Sequence, residues 1–520
     1  MISFVAFVAF ALSTVGSVQA YDNTCNDNLV EYWGQNSWGA ANPSDTANYQ
    51  KTLSYYCGDS TTDAFPIAFL NTFFGTGGEP EINLANTCSS SSDPVFAGTE
   101  LANCQFLAAD IETCQAAGKI VTISLGGATG GGTFSSDAQA QSFADQIWNL
   151  FLGGTSTTRP FGAAVLDGVD LDIESGSQSY VAFVNQLRSH MNTASKKYYI
   201  TAAPQCVYPD TTIGSTLNAV AFDAIYVQFY NNPCGLTHYS DGSYTWNFGV
   251  WDYWARYISP NPNVKVFIGA PASSTAAGSG YVPIATLQTI AQDTRKNFPS
   301  FGGVMFWDAS QAYANGRYDV ATKTFLKSGG SCGGAYTYQT CTATAYSSTR
   351  SYPAGSTVSY GGYQWYARYY ASGPPVGSDD SNAWRALFAC GSTSTTGTTT
   401  TVTTTTKATT TSTTSKATST TATTTSITTT TTTTAASGGS CSGVAVWSAT
   451  TTYTSGLTAT YNGQLWEANQ WNYNEVPGGA SGAWTLLGTC ASKRSGAVHD
   501  EALPQETGQA ARRSVRFARD

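Results

Sequence analysis

The chain has 520 residues and a net charge of -9, with only 11% charged residues against 51 glycines, 30 tyrosines and 13 tryptophans. That length exceeds one ordinary domain, so roughly two to four units are expected. The acidic balance argues against nucleic acid as a partner, and low charge with abundant aromatics and hydroxyls suits a protein that meets neutral polymers.

Residues 1–20 form an apolar run ending in Val18-Gln19-Ala20, a small-x-small cleavage signature without the usual positive n-region. The reading is a signal peptide, with a mature, secreted chain starting near Tyr21; a membrane anchor is the competing reading. No other run approaches the ~20 apolar residues that span a bilayer.

Residues 21–330 carry eight apolar, strand-like runs, at 29–33, 65–72, 120–125, 165–173, 198–203, 224–230, 264–270 and 302–307. Helix-like stretches such as 135–152, 177–195 and 284–297 lie between them. Strands alternating with helices predict a parallel sheet, and eight such units predict an α/β fold of the (β/α)8 barrel type, with a doubly wound open sheet as the alternative. A barrel forms its active site at the C-terminal ends of its strands. The polar groups Gly34-Gln35-Asn36, Gly126-Gly127, Asp172-Ile173-Glu174, Gln228-Phe229-Tyr230-Asn231 and Trp307-Asp308 fall at such ends.

The fourth run contains DGVDLDIE, residues 167–174. Val169, Leu171 and Ile173 occupy one parity and pack against helices. Asp170, Asp172 and Glu174 occupy the other and project from one face, ~7 Å from each to the next. Crowded carboxylates repel, share protons and raise at least one pKa, which suits a general acid near neutral pH. A hard cation or a buried structural network are the rival uses. Asp167, on the opposite parity, is expected to be structural.

Beyond 330 an internal repeat appears. YSSTRSYPAGSTVSYGGYQWYARYY (346–370) aligns with WSATTTYTSGLTATYNGQLWEANQW (447–471), followed by Trp384 against Trp484 and Cys390 against Cys490. Each copy has about 50 residues, too few for a large core, so disulfide staples Cys341–Cys390 and Cys441–Cys490 are expected. Between the copies, residues 391–440 are mostly Thr and Ser and read as an extended, O-glycosylated linker, or as a plain disordered tract. No Asn-x-Ser/Thr sequon occurs. Residues 491–520 turn charged and read as a disordered tail in which Lys493-Arg494 could be a processing site. The twelve cysteines show no zinc-like spacing, which favours disulfides and an oxidising destination.

DGVDLDIE matches the D-G-x-D-x-D-x-E signature of family 18 glycoside hydrolases. EYWGQN (31–36), IAFL (67–70), INLA (82–85), ISLGG (123–127), AAPQC (202–206), VQFYNNPC (227–234) and GGVMFW (302–307) resemble the class III (hevamine-like) branch of that family, in the right order across residues 21–330. The resemblance implies a retaining, substrate-assisted chitinase. Glu174 is then the acid, Asp172 the partner of the sugar's acetamido group, Asp170 the regulator of Asp172, and Tyr230 a donor to the acetamido oxygen. Gln228, Asn231, Trp307, Tyr32, Gln35 and Gly127 are the expected substrate-binding residues. The resemblance also implies disulfides Cys57–Cys114, Cys88–Cys104 and Cys206–Cys234, leaving Cys25 and Cys332 free to join the two ends of the barrel.

The copies at 331–390 and 441–490 resemble small all-β chitin-binding modules of carbohydrate-binding families 5 and 12. The second is the closer match, with Tyr461, Trp471 and Tyr473 as candidate sugar-stacking aromatics and Trp466 as core. Chitin and chitooligosaccharides are the expected partners of a monomer that needs no cofactor and no metal, outside the cell or at its wall. A catalytically inactive lectin or inhibitor on the same barrel, a wall-associated protein that works through its modules, and cleavage of the chitobiose core of N-glycans are the rival functions.

Overall fold

The computed structural model describes residues 21–391, apart from 131, 177, 241–244 and 376–382, and a discontinuous set within 441–490. The expected signal peptide, most of the Thr/Ser tract and the charged tail lie outside the described residues.

Nine strands form the main sheet: β1 (Asn28–Glu31), β2 (Ala64–Thr72), β3 (Glu81–Ile82), β4 (Ile120–Gly126), β5 (Gly168–Asp172), β6 (Tyr199–Ala202), β7 (Ala224–Gln228), β8 (Lys265–Pro271) and β9 (Phe301–Trp307). Their order is β1-β9-β8-β7-β6-β5-β4-β2-β3, and β1 also pairs with β2, so eight parallel strands close into a barrel. The short β3 lies antiparallel on β2 at Leu70 and Ile82. The eight expected runs each become a barrel strand. The open-sheet alternative fails on the β1–β2 and β1–β9 pairings.

Side-chain alternation sorts the apolar residues into two layers. Val169, Leu171 and Ile173 join the core between strands and helices. Val30, Tyr32, Ala68, Phe69, Tyr226, Phe267 and Met305 fill the barrel interior, together with Tyr21 and Tyr199. The helix Asp137–Phe151 shows why the outer layer forms. Ser136 caps it by accepting from the Gln139 N–H (3.2 Å), and Ala140, Phe143, Ala144, Ile147 and Leu150 recur at helical spacing on its buried face. Gly168 lets β5 approach β6, since a Cβ there would lie 1.9 Å from the Tyr199 carbonyl oxygen, at a φ of +155°.

All twelve cysteines are paired: Cys25–Cys332, Cys57–Cys114, Cys88–Cys104, Cys206–Cys234, Cys341–Cys390 and Cys441–Cys490. The first ties the segment before β1 to the segment after the last barrel helix, Tyr318–Ser328.

The first repeat copy forms a four-stranded sheet of β10 (Gln339–Thr340), β11 (Thr357–Tyr360), β12 (Tyr363–Ala367) and β13 (Trp384–Gly391). It belongs to the same compact unit as the barrel. Its Tyr363 and Trp365 are fully buried, and their rings pack against Tyr253 of the helix Phe248–Tyr257 at 5.8 and 5.9 Å. The Tyr363 hydroxyl donates to buried Asp252 (2.6 Å), which also accepts from the Ser300 hydroxyl (2.5 Å) and N–H (2.9 Å). Arg256 lies over the rings of Tyr257, Tyr338 and Tyr363 at 4.9 to 5.4 Å. Gly249 permits this contact, because a Cβ there would come within 2.7 Å of the Ala386 carbonyl oxygen.

The second copy lies in a separate unit. Among its described residues, strands Thr458–Tyr461, Gln464–Ala468 and Trp484–Thr489 form an antiparallel sheet.

Candidate active site

At the C-terminal ends of the strands a cleft of about 580 Å³ opens, lined by Asp172, Glu174, Gln228, Tyr230, Asn231 and Trp307 among others. Strand parity puts three acids into it at graded depth. Asp170 is 0% and Asp172 4% exposed, whereas Glu174, two residues past the end of β5, is exposed at the mouth.

Asp170 is held by hydroxyls from three other strands or their ends. Tyr32 donates to Oδ2 (2.6 Å), Ser124 to Oδ2 (2.7 Å) and Thr201 to Oδ1 (2.6 Å). Ser124 and Thr201 sit directly beside Asp170 in the parallel register of β4-β5-β6. Burial pushes the Asp170 carboxyl up from the ordinary carboxylate range, and these three donors oppose the shift.

Asp172 is held by amides. The Gln228 Nε2 donates to its Oδ1 (2.9 Å) and to the Ala203 carbonyl (2.9 Å). The Gln205 Nε2 donates to the Gln228 Oε1 (3.2 Å), and the Asn232 Nδ2 to the Gln205 Oε1 (2.6 Å). This chain of amides runs in one direction and delivers a hydrogen bond to one Asp172 oxygen. Burial, then Glu174, Asp170 and Asp210, push the Asp172 carboxyl well up. Burial and then Asp210 raise Glu174, opposed by the Gln228 amide. The charge of Glu174 thus adds to burial in favouring the protonated form of Asp172. Burial and the two acids also raise the Tyr230 phenol, which stays a neutral donor.

Trp307 forms an apolar wall, stacked on Phe69 at 5.8 Å with 17° between the planes. Asn231 is exposed, and its Oδ1 accepts from the Ser279 N–H (3.0 Å). Gln35 lines the cleft while its Nε2 donates to the Ala68 and Asn83 carbonyls (2.9 and 2.8 Å).

Two expected substrate-binding residues are not among those lining the cleft. Tyr32 is 2% exposed because its hydroxyl is drawn down onto Asp170, beneath Trp307. Gly127 is buried against the Phe69 ring, and its N–H donates to the Asp172 carbonyl (2.8 Å). Asp167 lies outside the cleft, accepting from the Val121 N–H (2.8 Å) and pairing with Lys196 (2.9 Å).

Sequence reasoning did not name Ser124, Thr201, Phe69, Gln205, Thr212 or Asp210. Ser124 and Thr201 carried a usable signal, since each is a polar residue inside an apolar strand run on the inward parity. Of the repeat aromatics, Tyr461 is half-buried with its ring edge-on to Trp447 at 5.3 Å. Trp466 is half-buried against Gly478. Trp471 and the side chain of Tyr473 lie outside the described residues.

The family model described as glycosyl hydrolases family 18 matches residues 29–451. The chain is 50% identical over 327 residues to "Chitinase 2" of Rhizopus oligosporus, a match covering 63% of this chain and 57% of that protein. It therefore spans little more than half the length of that relative. It is 41% identical over 339 residues to "Endochitinase 33" of Trichoderma harzianum, covering 63% of this chain and 100% of that protein. Among solved structures, a xylanase and alpha-amylase inhibitor protein from Scadoxus multiflorus is 32% identical with a TM-score of 0.47, covering 56% of this chain and 97% of that one.

Proposed function

The chain belongs to glycosyl hydrolase family 18, and from that premise we propose that it hydrolyses the β-1,4 linkages of chitin by a retaining, substrate-assisted route. Glu174 protonates the glycosidic oxygen. The 2-acetamido carbonyl of the sugar attacks the anomeric carbon, as in the family's departure from the two-carboxylate scheme. Asp172 orients the acetamido group and balances the positive charge that develops on it, Asp170 sets the charge state of Asp172, and Tyr230 donates to the acetamido oxygen. Trp307 supplies the apolar floor. Glu174, now ionised, takes a proton from the water that opens the oxazolinium ring, so the β configuration returns.

One observation carries this reading: an exposed acid stands at the mouth of the barrel above a buried, amide-held carboxylate on the same strand face. The chitinase names of the relatives support the substrate. Six disulfides and the apolar residues 1–20 support export and action outside the cell, on cell-wall or foreign chitin. The second repeat copy, on its Thr/Ser linker, retains the enzyme on the polymer by raising effective concentration. Release of fluorophore from a labelled chitooligosaccharide tests the reading. Glu174→Gln is expected to lose roughly 10²–10⁴-fold in kcat, and equal rates in the two proteins contradict it.

A further inference from the structure

Asp210, on the loop after β6, is 5% exposed and points no oxygen at solvent for nothing: each is used. Oδ2 accepts from the Gln205 N–H (2.8 Å). Oδ1 accepts from the N–H groups of Thr212 (2.8 Å) and Ile213 (2.7 Å) and from the Thr212 hydroxyl (2.8 Å). That same hydroxyl reaches the carbonyl of Ile173 (2.6 Å), the residue directly before Glu174. Gln205, Thr211 and Thr212 all line the cleft.

Two routes therefore run from this one carboxylate to the reacting pair. One passes through the backbone of Gln205, whose side chain continues through Gln228 to Asp172. The other passes through Thr212 to the backbone that aims Glu174. We propose that Asp210 is a positioning residue of this site, fixing the 205–213 loop and the Ile173 carbonyl so that Glu174 and Asp172 are held in register. This inference rests on the reading of Glu174 as the acid. The groups facing Glu174 are Asp172 from its own strand, Asp210 from the β6 loop, and Gln228 and Tyr230 from the end of β7. Asp210 raises Glu174, so removing its charge moves Glu174 toward the ordinary glutamate value.

The test compares wild type, Asp210→Asn, Thr212→Val and Thr212→Ser. Carboxyl-¹³C glutamate is titrated by NMR with Glu174 assigned by its loss in Glu174→Gln, and kcat and KM are measured across pH on a soluble chitooligosaccharide. Asp210→Asn is expected to move the Glu174 midpoint, and with it the alkaline limb of kcat, to lower pH. Thr212→Val keeps the charge, so its midpoint stays while kcat falls about ten- to a hundred-fold with KM little changed; Thr212→Ser restores kcat. An unmoved midpoint in Asp210→Asn, or wild-type kcat in Thr212→Val, overturns the proposal. Should Asp210→Asn not fold, the Thr212 pair still decides. The titration reads without turnover, so absence of hydrolysis by wild type counts against the chitinase reading and leaves this measurement standing.

Discussion

Asp170, Asp172 and Glu174 lie on one strand yet meet three different environments. Hydroxyls hold the first, amides the second, and solvent reaches the third. Environment, more than residue type, assigns a carboxyl its role. On the proposed route Glu174 must carry a proton to act, and burial with Asp210 raises its value above the 4.5 of an ordinary glutamate. Activity is therefore expected to persist above that value and to fall as pH rises through the folded one, which a kcat–pH profile checks. An alkaline limb at or below the ordinary glutamate value contradicts the account. The same sign governs stability: the favourable contribution of these raised acids is complete below the ordinary carboxylate range and is lost as pH rises through the folded values. Strand parity alone made the three acids and their direction legible, because alternation is a property of any strand. Ser124 and Thr201 left a mark as polar residues on the inward parity of apolar runs, but their pairing with Asp170 did not, because cross-strand register is set by barrel closure. For Tyr32 the strand end is visible in the sequence, but not the depth to which Asp170 draws its hydroxyl.

The two repeat copies share a pattern and differ in what they touch. Tyr346 and Tyr360 in the first meet edge-on at 5.4 Å, as Trp447 and Tyr461 do in the second at 5.3 Å. The docking face separates them. Tyr363, which donates to Asp252, aligns with Gln464, and Ala386, which nestles against Gly249, aligns with Leu486, 47% exposed in the second copy. The first copy is thus built into the barrel's wall. Tyr363→Phe is expected to cost about 1.5–3 kcal/mol of stability, the range for a hydrogen bond to a charged group, measured by denaturant unfolding. Burial raises the Asp252 carboxyl, and its ionised form is the one that needs the phenol, so the deficit should be larger at pH 7 than at pH 4. A deficit that shrinks as pH rises contradicts this docking chemistry. The repeat itself could be read from matched aromatics and cysteines. Its attachment could not, since Tyr363 and Trp365 look the same in sequence whether they face a sugar, a core or a helix.

At the scale of the molecule, eight strand runs alternating with helices pointed to the barrel, and five of them end in polar groups that mark the cleft. Closure depended on pairings between the first and last strands, which no local pattern encodes. The Cys25–Cys332 bridge spans 307 residues and joins the same two ends covalently, restricting the unfolded chain as well as the folded one. That closed frame brings the ends of β5, the β6 loop and β7 around one cleft, which is what the proposed route needs: a single protonated glutamic acid serving a sugar that carries its own nucleophile. The anomeric form of the first product reports on this directly. Proton NMR of a short chitooligosaccharide during the opening minutes of hydrolysis, before mutarotation, is predicted to show the new reducing end as the β-anomer. An initial α-anomer contradicts the substrate-assisted, retaining account.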